Sequence, residues 1–127
     1  MRQIGAVLEG TRNIHWPLSA WDNLVYFGNL KGLSGRSLKE RAKYLLKELN
    51  LWERRHDLVR TFSCGMQQRL AIGRAVLHDP EVMLFDEPHT GLDQDASSML
   101  DHVLGEVAAR GRTVVMTSHD LARAAYL

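Results

Sequence analysis

The sequence predicts an α/β fold in which parallel strands are combined with an α-helical subdomain. Short apolar runs typical of buried strands occur at residues 4–8, 82–85 and 113–117. A helical pattern separates the last two runs, and a strand–helix–strand order favours parallel pairing because the chain must cross back over the sheet. Between the first two runs the patterns are helical, which indicates the additional subdomain.

Composition favours an ordinary globular chain. The 127 residues are 45% hydrophobic and 24% charged, with a formal net charge of +1, so nothing indicates a nucleic-acid partner. No apolar run approaches the roughly 18 residues that span a bilayer. Cys64 is the single cysteine, which excludes an intrachain disulfide and favours a reducing, cytosolic setting.

Two helices are predicted in the first half of the chain. Ser19 and Asp22 resemble a capping box that opens a helix through about Leu30. Ser37 and Glu40 form a similar pair and predict the start of a second helix at Ser37. The second helix has one apolar stripe, made of Leu38, Ala42, Leu45, Leu46 and Leu49.

The second half alternates helices and strands. A helix is predicted from Ser63 to about His78, and it is apolar nearly all round, so we expect it to be mostly buried. The unbroken apolar run Val82–Phe85 predicts a strand buried on both faces. The next helix is predicted to end at Arg110 and Gly111, and its apolar residues are Met99, Leu100, Val103, Leu104 and Val107. A strand at 113–117 and a last helix capped by Ser118 complete the pattern.

Two adjacent carboxylates, Asp86 and Glu87, follow the strand at 82–85 directly. Ligands of α/β folds bind at the carboxyl ends of the strands. One carboxylate suits a divalent cation, and its neighbour suits activation of a water molecule. The alternative is a turn whose acids are only solvated.

Four motifs together resemble the nucleotide-binding domain of ATP-binding cassette (ABC) ATPases. Residues 62–70, FSCGMQQRL, are similar to the family signature Leu-Ser-Gly-Gly-Gln. Residues 82–88, VMLFDEP, resemble the Walker B strand. Gly91-Leu92-Asp93 resembles the D-loop, and Ser118-His119-Asp120 resembles the switch histidine with its flanking residues. Any one of these motifs is a weak signal, whereas four in family order are specific.

The resemblance implies a partial P-loop NTPase core with parallel strands. Residues 1–9 and 75–127 would belong to the α/β core, and residues 10–74 would form the helical subdomain that carries the signature. It also implies Mg²⁺ and ATP as cofactors, with Asp86 as a metal ligand.

The same resemblance assigns the other site residues. Glu87 would be the general base and His119 the second catalytic residue. Glu9 stands where the family has a glutamine that contacts the metal and the attacking water. The residues expected to bind ATP are Ser63, Gly65, Gln67, Asp93 and Glu9, with Ser63 and Gly65 contacting the γ-phosphate held by a partner domain.

The chain also departs from the family pattern. Cys64 replaces a signature glycine and narrows the space beside the phosphate. No Walker A sequence, G-x-x-x-x-G-K-[ST], is present, since Gly35-Arg36-Ser37 lacks the lysine. We therefore expect a fragment, covering about the middle half of a family domain, that binds ATP poorly by itself.

The implied function is that of the ATP-hydrolysing subunit of an ABC transporter. Val7-Leu8-Glu9-Gly10, with Arg12-Asn13 following, resembles the version of this segment found in some exporter-type ABC subunits, which implies an exporter. The implied partners are a second ABC domain and a membrane permease, with the chain on the cytoplasmic face of the cell membrane. Aromatic residues of the helical subdomain would line the permease groove or pack in its core: Trp16, Trp21, Tyr26 and Phe27. The alternatives are a soluble ABC ATPase without transport, or a non-catalytic docking module.

Overall fold

The computed structural model describes residues 4–7, 17–77, 79–86 and 92–117, and for residues 4–7, Asp86 and Thr117 it describes the backbone alone. The elements in these ranges are β1 Ile4–Val7, α1 Ala20–Leu30, α2 Gly35–Glu48, α3 Cys64–Leu77, β2 Val82–Asp86, α4 Gln94–Ala109 and β3 Thr113–Thr117. Two 3₁₀ turns, Trp52–Arg54 and Val59–Thr61, connect α2 to α3. No helix in these ranges has the length and apolarity needed to cross a bilayer.

The described strands form one parallel sheet in the order β1-β2-β3. The predicted strand–helix–strand unit is confirmed, because β2, α4 and β3 follow one another and β2 pairs with β3 in parallel. β2 is the central strand, and its Phe85 is level with Val7 of β1 and Met116 of β3.

The faces of β2 differ in burial. Met83 and Phe85 point into the hydrophobic core together with residues of α3 and α4. Leu84 points to the opposite face and is 40% exposed, and Val115 of β3 is 48% exposed. The expectation that β2 is buried on both faces is therefore wrong for Leu84, because alternate side chains of a strand lie on opposite faces and the core covers only one.

A single hydrophobic core extends from α1 to α4. The predicted stripe of α2 is confirmed, since all five of its members are buried. The prediction for α3 is also confirmed: its buried positions are Gln67, Gln68, Leu70, Ala71, Ile72, Gly73, Ala75, Val76 and Leu77. The predicted boundary between residues 74 and 75 falls inside α3 and stays a prediction.

The helix ends show where local sequence signals succeed and fail. Ser19 caps α1 as predicted, with Oγ accepting a hydrogen bond from the N–H of Asp22 at 3.1 Å. The predicted start of α2 at Ser37 is wrong, because the helix begins at Gly35 after Ser34. The Ser37 hydroxyl donates to the carbonyl of Ser34 at 3.2 Å, so it does not cap a backbone N–H. Arg110 and Gly111 end α4 as predicted.

Asp79 joins three parts of the fold. Its carboxylate accepts hydrogen bonds from Arg112 at 2.8 Å and 3.2 Å and from Arg110 at 3.3 Å. Arg41 of α2 lies 4.0 Å away and also donates to the carbonyls of Val76 and Leu77. Burial acts to raise the pKa of Asp79, but the Arg112 hydrogen bond and the surrounding guanidinium charges outweigh it and hold the pKa below its ordinary value.

Gly28 allows α1 and α2 to approach closely. It is buried, and a Cβ at this position would lie 3.1 Å from Cδ2 of Leu38 and closer still to Cδ1. Leu38 is only 2% exposed, so it has little room to move away. Gly105 of α4 provides a contrast, since a Cβ there meets no atom within 4 Å.

We predict that Gly28→Ala lowers the free energy of unfolding by about 1–3 kcal/mol, the usual cost of overpacking a core. The same substitution at Gly105 should raise stability by up to about 1 kcal/mol, because alanine favours the helix and meets no neighbour. Urea unfolding of both variants measures the difference. If the two variants were equally stable, Leu38 would be able to make room for a methyl group at position 28.

Candidate functional site

The carboxyl ends of the described strands lie at one edge of the sheet. Asp86, the last residue of β2, is in register with Thr117, the last residue of β3. Along the chain, Glu87 follows Asp86 directly, and His119 comes two residues after Thr117. Glu9 likewise comes two residues after the end of β1. Glu9, Glu87 and His119 lie outside the described residues, so their predicted roles stay predictions.

Asp86 occupies the centre of this edge, because β2 lies between the other two strands. A carboxylate supplies the oxygen ligand that Mg²⁺ prefers, and Mg²⁺ commonly binds one or two carboxylates together with substrate phosphates and water. The position and the donor type of Asp86 therefore fit a magnesium ligand at the ligand-binding edge of an α/β sheet.

Ser63 caps the N-terminus of α3. Its Oγ accepts a hydrogen bond from the N–H of Met66 at 3.1 Å, and its carbonyl accepts from the N–H of Gln67 at 2.9 Å. The N–H groups of Cys64 and Gly65, in the first turn, have no acceptor within the helix and are left for solvent or a ligand. Ser63 and Cys64 are exposed, so this helix end can receive an anion that the helix dipole favours.

Gln67 points into the protein. It is only 9% exposed, and its Nε2 donates to the carbonyls of Phe62 at 3.1 Å and Val59 at 3.4 Å. Aligned without a gap, the signature Leu-Ser-Gly-Gly-Gln ends at Met66, one residue before Gln67. The predicted ATP contact of Gln67 stays a prediction, and these two hydrogen bonds compete with it.

Asp93 is the N-cap of α4. Its Oδ1 accepts a hydrogen bond from the N–H of Ala96 at 2.8 Å, and the residue is exposed. Its carboxylate also acts on Arg69 of α3, where burial lowers the pKa and the Asp93 charge partly opposes that effect. The capping role is what the geometry shows, and the predicted ATP contact of Asp93 stays a prediction.

Arg54 organises the loop before the signature, a role that the sequence patterns missed. Its guanidinium donates to Asp57 at 2.8 Å and to the Met66 sulfur at 3.5 Å, and it lies 5.2 Å from the ring centre of Phe62. The charged sequence of residues 51–61 predicts a short turn of helix and a loop, but a 3₁₀ segment has no periodic signal that singles out a residue such as Arg54.

The aromatic residues of the helical part divide into two groups. Trp21 is half-buried and packs edge-to-face on Trp52, with ring centres 6.1 Å apart. Tyr26 is 49% exposed and contacts Phe27 edge-to-face at 5.3 Å. The Arg74 guanidinium lies 3.7 Å from the ring centre of Phe27. Trp16 lies outside the described residues.

Comparison with known families agrees with this geometry. Residues 2–90 match the family model described as ABC transporter. This chain belongs to the ABC transporter ATP-binding family. Its P-loop NTPase fold class is thereby established, and ATP hydrolysis is a general property of ABC ATPases.

Individual relatives extend the match beyond residue 90. The chain is 36% identical to the ABC transporter ATP-binding protein NatA of Bacillus subtilis (strain 168) over 118 residues, 93% of this chain and 48% of NatA. It is 36% identical to the linearmycin resistance ATP-binding protein LnrL of the same organism, covering 87% of this chain and 35% of the relative. The Nod factor export ATP-binding protein I of Cupriavidus metallidurans (strain ATCC 43123 / DSM 2839 / NBRC 102507 / CH34) is also 36% identical, covering 84% of this chain and 35% of the relative. The chain thus spans about half the length of the first of these relatives and about a third of the other two.

The cap at Ser63 can be tested apart from any nucleotide. Ser63→Ala should lower the free energy of unfolding by about 1 kcal/mol, because the Met66 N–H loses its acceptor. Ser63→Asp should stay within a few tenths of a kcal/mol of the native protein, since aspartate caps as well as serine. Urea unfolding measures both. Ser98→Ala, at an exposed position inside α4, is the matched control and should be neutral. A Ser63→Ala variant as stable as Ser98→Ala would contradict the capping role.

Proposed function

We propose that this chain supplies the hydrolytic residues of an ABC exporter's ATP-binding subunit. The observation that supports this most strongly is the level register of the three parallel strands, with Asp86 ending the central one. Glu87 and His119 follow the ends of neighbouring strands at that edge along the chain. Ligands of such a sheet bind at its carboxyl edge. Asp86, Glu87 and His119 are therefore suited to act on the same phosphate group of ATP.

In this proposal each polar residue at the edge has one task. Asp86 holds Mg²⁺, which neutralises charge on the phosphates when it is bound. Glu87 orients the attacking water and accepts its proton. His119 donates a hydrogen bond to the γ-phosphate, and Glu9 helps to position the metal and the water. Phosphoryl transfer depends mainly on such positioning and charge stabilisation.

The N-terminus of α3 serves a second nucleotide. The first-turn N–H groups and the exposed Ser63 favour an anion, and we assign them to the γ-phosphate of ATP held by a second ABC domain. Gly65 lets this phosphate approach the backbone, and the exposed Asp93 completes the same surface. Gln67 would join it only after its hydrogen bonds to Phe62 and Val59 break. The active form is then a dimer, in which the acid pair and the signature of one chain belong to different ATP sites.

The phosphate cradle comes from outside these residues. The 127 residues contain no Gly-Lys-Ser or Gly-Lys-Thr, and the backbone and lysine of that loop supply most phosphate contacts in P-loop ATPases. We therefore propose that the 127-residue chain binds ATP weakly by itself. The side chain of Cys64 also reduces the space for a phosphate at the N-terminus of α3, where the family has glycine.

Transport by export is the physiological role that we propose. Two of the relatives are a linearmycin resistance ATP-binding protein and a Nod factor export ATP-binding protein, and the segment around Glu9 resembles that of some exporter-type ABC subunits. A membrane permease would bind the surface around Tyr26, Phe27 and Leu30, since Tyr26 and Leu30 are 49% and 62% exposed although both have large apolar parts. The subunit would then lie on the cytoplasmic face of the cell membrane.

Replacement of the general base tests this function. In the native subunit assembled with its membrane partner, Glu87→Gln should lower ATP hydrolysis by at least about 100-fold, the contribution expected of a general base. Nucleotide-driven dimerisation should persist, because glutamine keeps the shape and the phosphate contacts. Phosphate release from the assembled transporter measures hydrolysis, and size-exclusion chromatography of the purified subunit with ATP measures dimerisation.

The matched control is Glu81→Gln, at an exposed position beside the opposite end of β2. It should leave hydrolysis unchanged. Hydrolysis at the native rate in the Glu87→Gln variant would show that another group is the base.

A further inference from the structure

Two helices bring three metal-ligating side chains together away from the strand edge. Glu48 is the last residue of α2, and His102 and Glu106 are one turn apart on α4. Their ligand atoms all lie within 4.8 Å of one another. His102 Nε2 is 3.1 Å from Glu106 Oε1 and 3.6 Å from Glu48 Oε2.

These separations match those around a small tetrahedral metal ion. Zinc binds imidazole nitrogen and carboxylate oxygen at about 2.0–2.2 Å, which places neighbouring ligand atoms of a tetrahedron about 3.3 Å apart. The two histidine–carboxylate distances bracket this value. All three side chains are therefore close enough to reach one ion, and water can take the fourth position because His102 is 62% exposed.

Tyr44 contacts one of the proposed ligands, Glu106, and helps to fix its orientation. Its hydroxyl donates to Glu106 Oε2 at 2.7 Å, which leaves Oε1 directed at His102. A hydrogen bond to the outer oxygen of a ligating carboxylate is the support that metal sites commonly have.

The scaffold and the surrounding charges suit a cation. The inner faces of α2 and α4 are anchored in the core by residues beside the ligands, among them Leu45, Leu49 and Val103. Arg41 and Arg110 line the adjoining cleft, but both interact with Asp79. A dication would be neutralised by the two glutamates, whereas those arginines already have an anionic partner.

We propose that Glu48, His102 and Glu106 form a binding site for a transition-metal dication, with Zn²⁺ as the favoured ion. Imidazole nitrogen with carboxylate oxygen suits zinc and its first-row neighbours, whereas Mg²⁺ and Ca²⁺ prefer sites made only of oxygen ligands. The site is separate from ATP hydrolysis: Glu106 is about 20 Å along α4 from Asp93, at 1.5 Å per residue. A bound ion joins α2 to α4 and stabilises the contact between the helical part and the sheet.

The test is a calorimetric titration of the protein with Zn²⁺ in the presence of excess Mg²⁺. We expect saturation at one Zn²⁺ per chain. His102→Ala and Glu106→Gln should each weaken binding by more than about 10-fold, and Tyr44→Phe by about 10-fold, the usual effect of losing a supporting hydrogen bond. His56→Ala is the matched control, because His56 is also exposed but lies outside the group of three ligands, and this variant should bind Zn²⁺ as the native protein does.

A second readout guards against misfolded variants. Zn²⁺ should raise the melting temperature of the native protein but not that of His102→Ala, since a ligand stabilises only the state that binds it. Glu48→Gln, whose residue is on the other helix, should lose the same zinc-dependent increase. Absence of saturable binding would overturn the proposal. Equal affinity in the native protein and His102→Ala would show an adventitious ion only, and would overturn it as well.

Discussion

Pairing of β2 with a parallel strand on each side is the constraint on which the candidate hydrolytic site depends. The two ladders place Val7, Phe85 and Met116 in register. All three strands therefore end at the same edge of the sheet. A slip of one residue in either ladder would turn every side chain of that strand to the other face and move the strand end along the edge. The burial of Met83 and Phe85, beside the exposed Leu84, opposes such a slip in β2.

Helix α3 runs from the second proposed nucleotide surface to the turn that precedes β2. Its first turn carries Ser63 and Gly65, and its buried residues pack on the helices and strands on either side. Arg41 binds the carbonyls at its last turn, and Gln67 binds the loop before its first turn. Because α3 is held at both ends and along its length, its packing fixes the position of the signature turn relative to the rest of the core.

Local pattern predicted much of the fold and little of the side-chain geometry. The strand at Val82, the stripe of α2 and the end of α4 at Gly111 follow from periodicity and capping chemistry. The start of α2 does not, because Ser34 and Ser37 are both plausible caps and the difference lies in backbone geometry. Contacts between distant segments do not follow from local pattern either, because they form only when the helices pack. Examples are Arg54 with Met66, Asp79 with three arginines, and Glu48 with His102. The motifs identified Asp86, Glu87 and His119 as candidates, while the position of Glu87 and His119 lies outside the described residues.

Paramagnetic relaxation by Mn²⁺ tests the central claim, that the nucleotide metal binds at the carboxyl edge of this sheet. The experiment uses the subunit with bound ATP and with the substitution His102→Ala, so that the second site does not take up the ion. Val82 and Asp86 are about 13 Å apart along β2 at 3.3 Å per residue, and this broadening falls steeply with distance. The account predicts the strongest loss of backbone amide signal at Asp86 and Thr117 and the weakest at Val82 and Thr113. Equal broadening along both strands, or the reverse gradient, would contradict it.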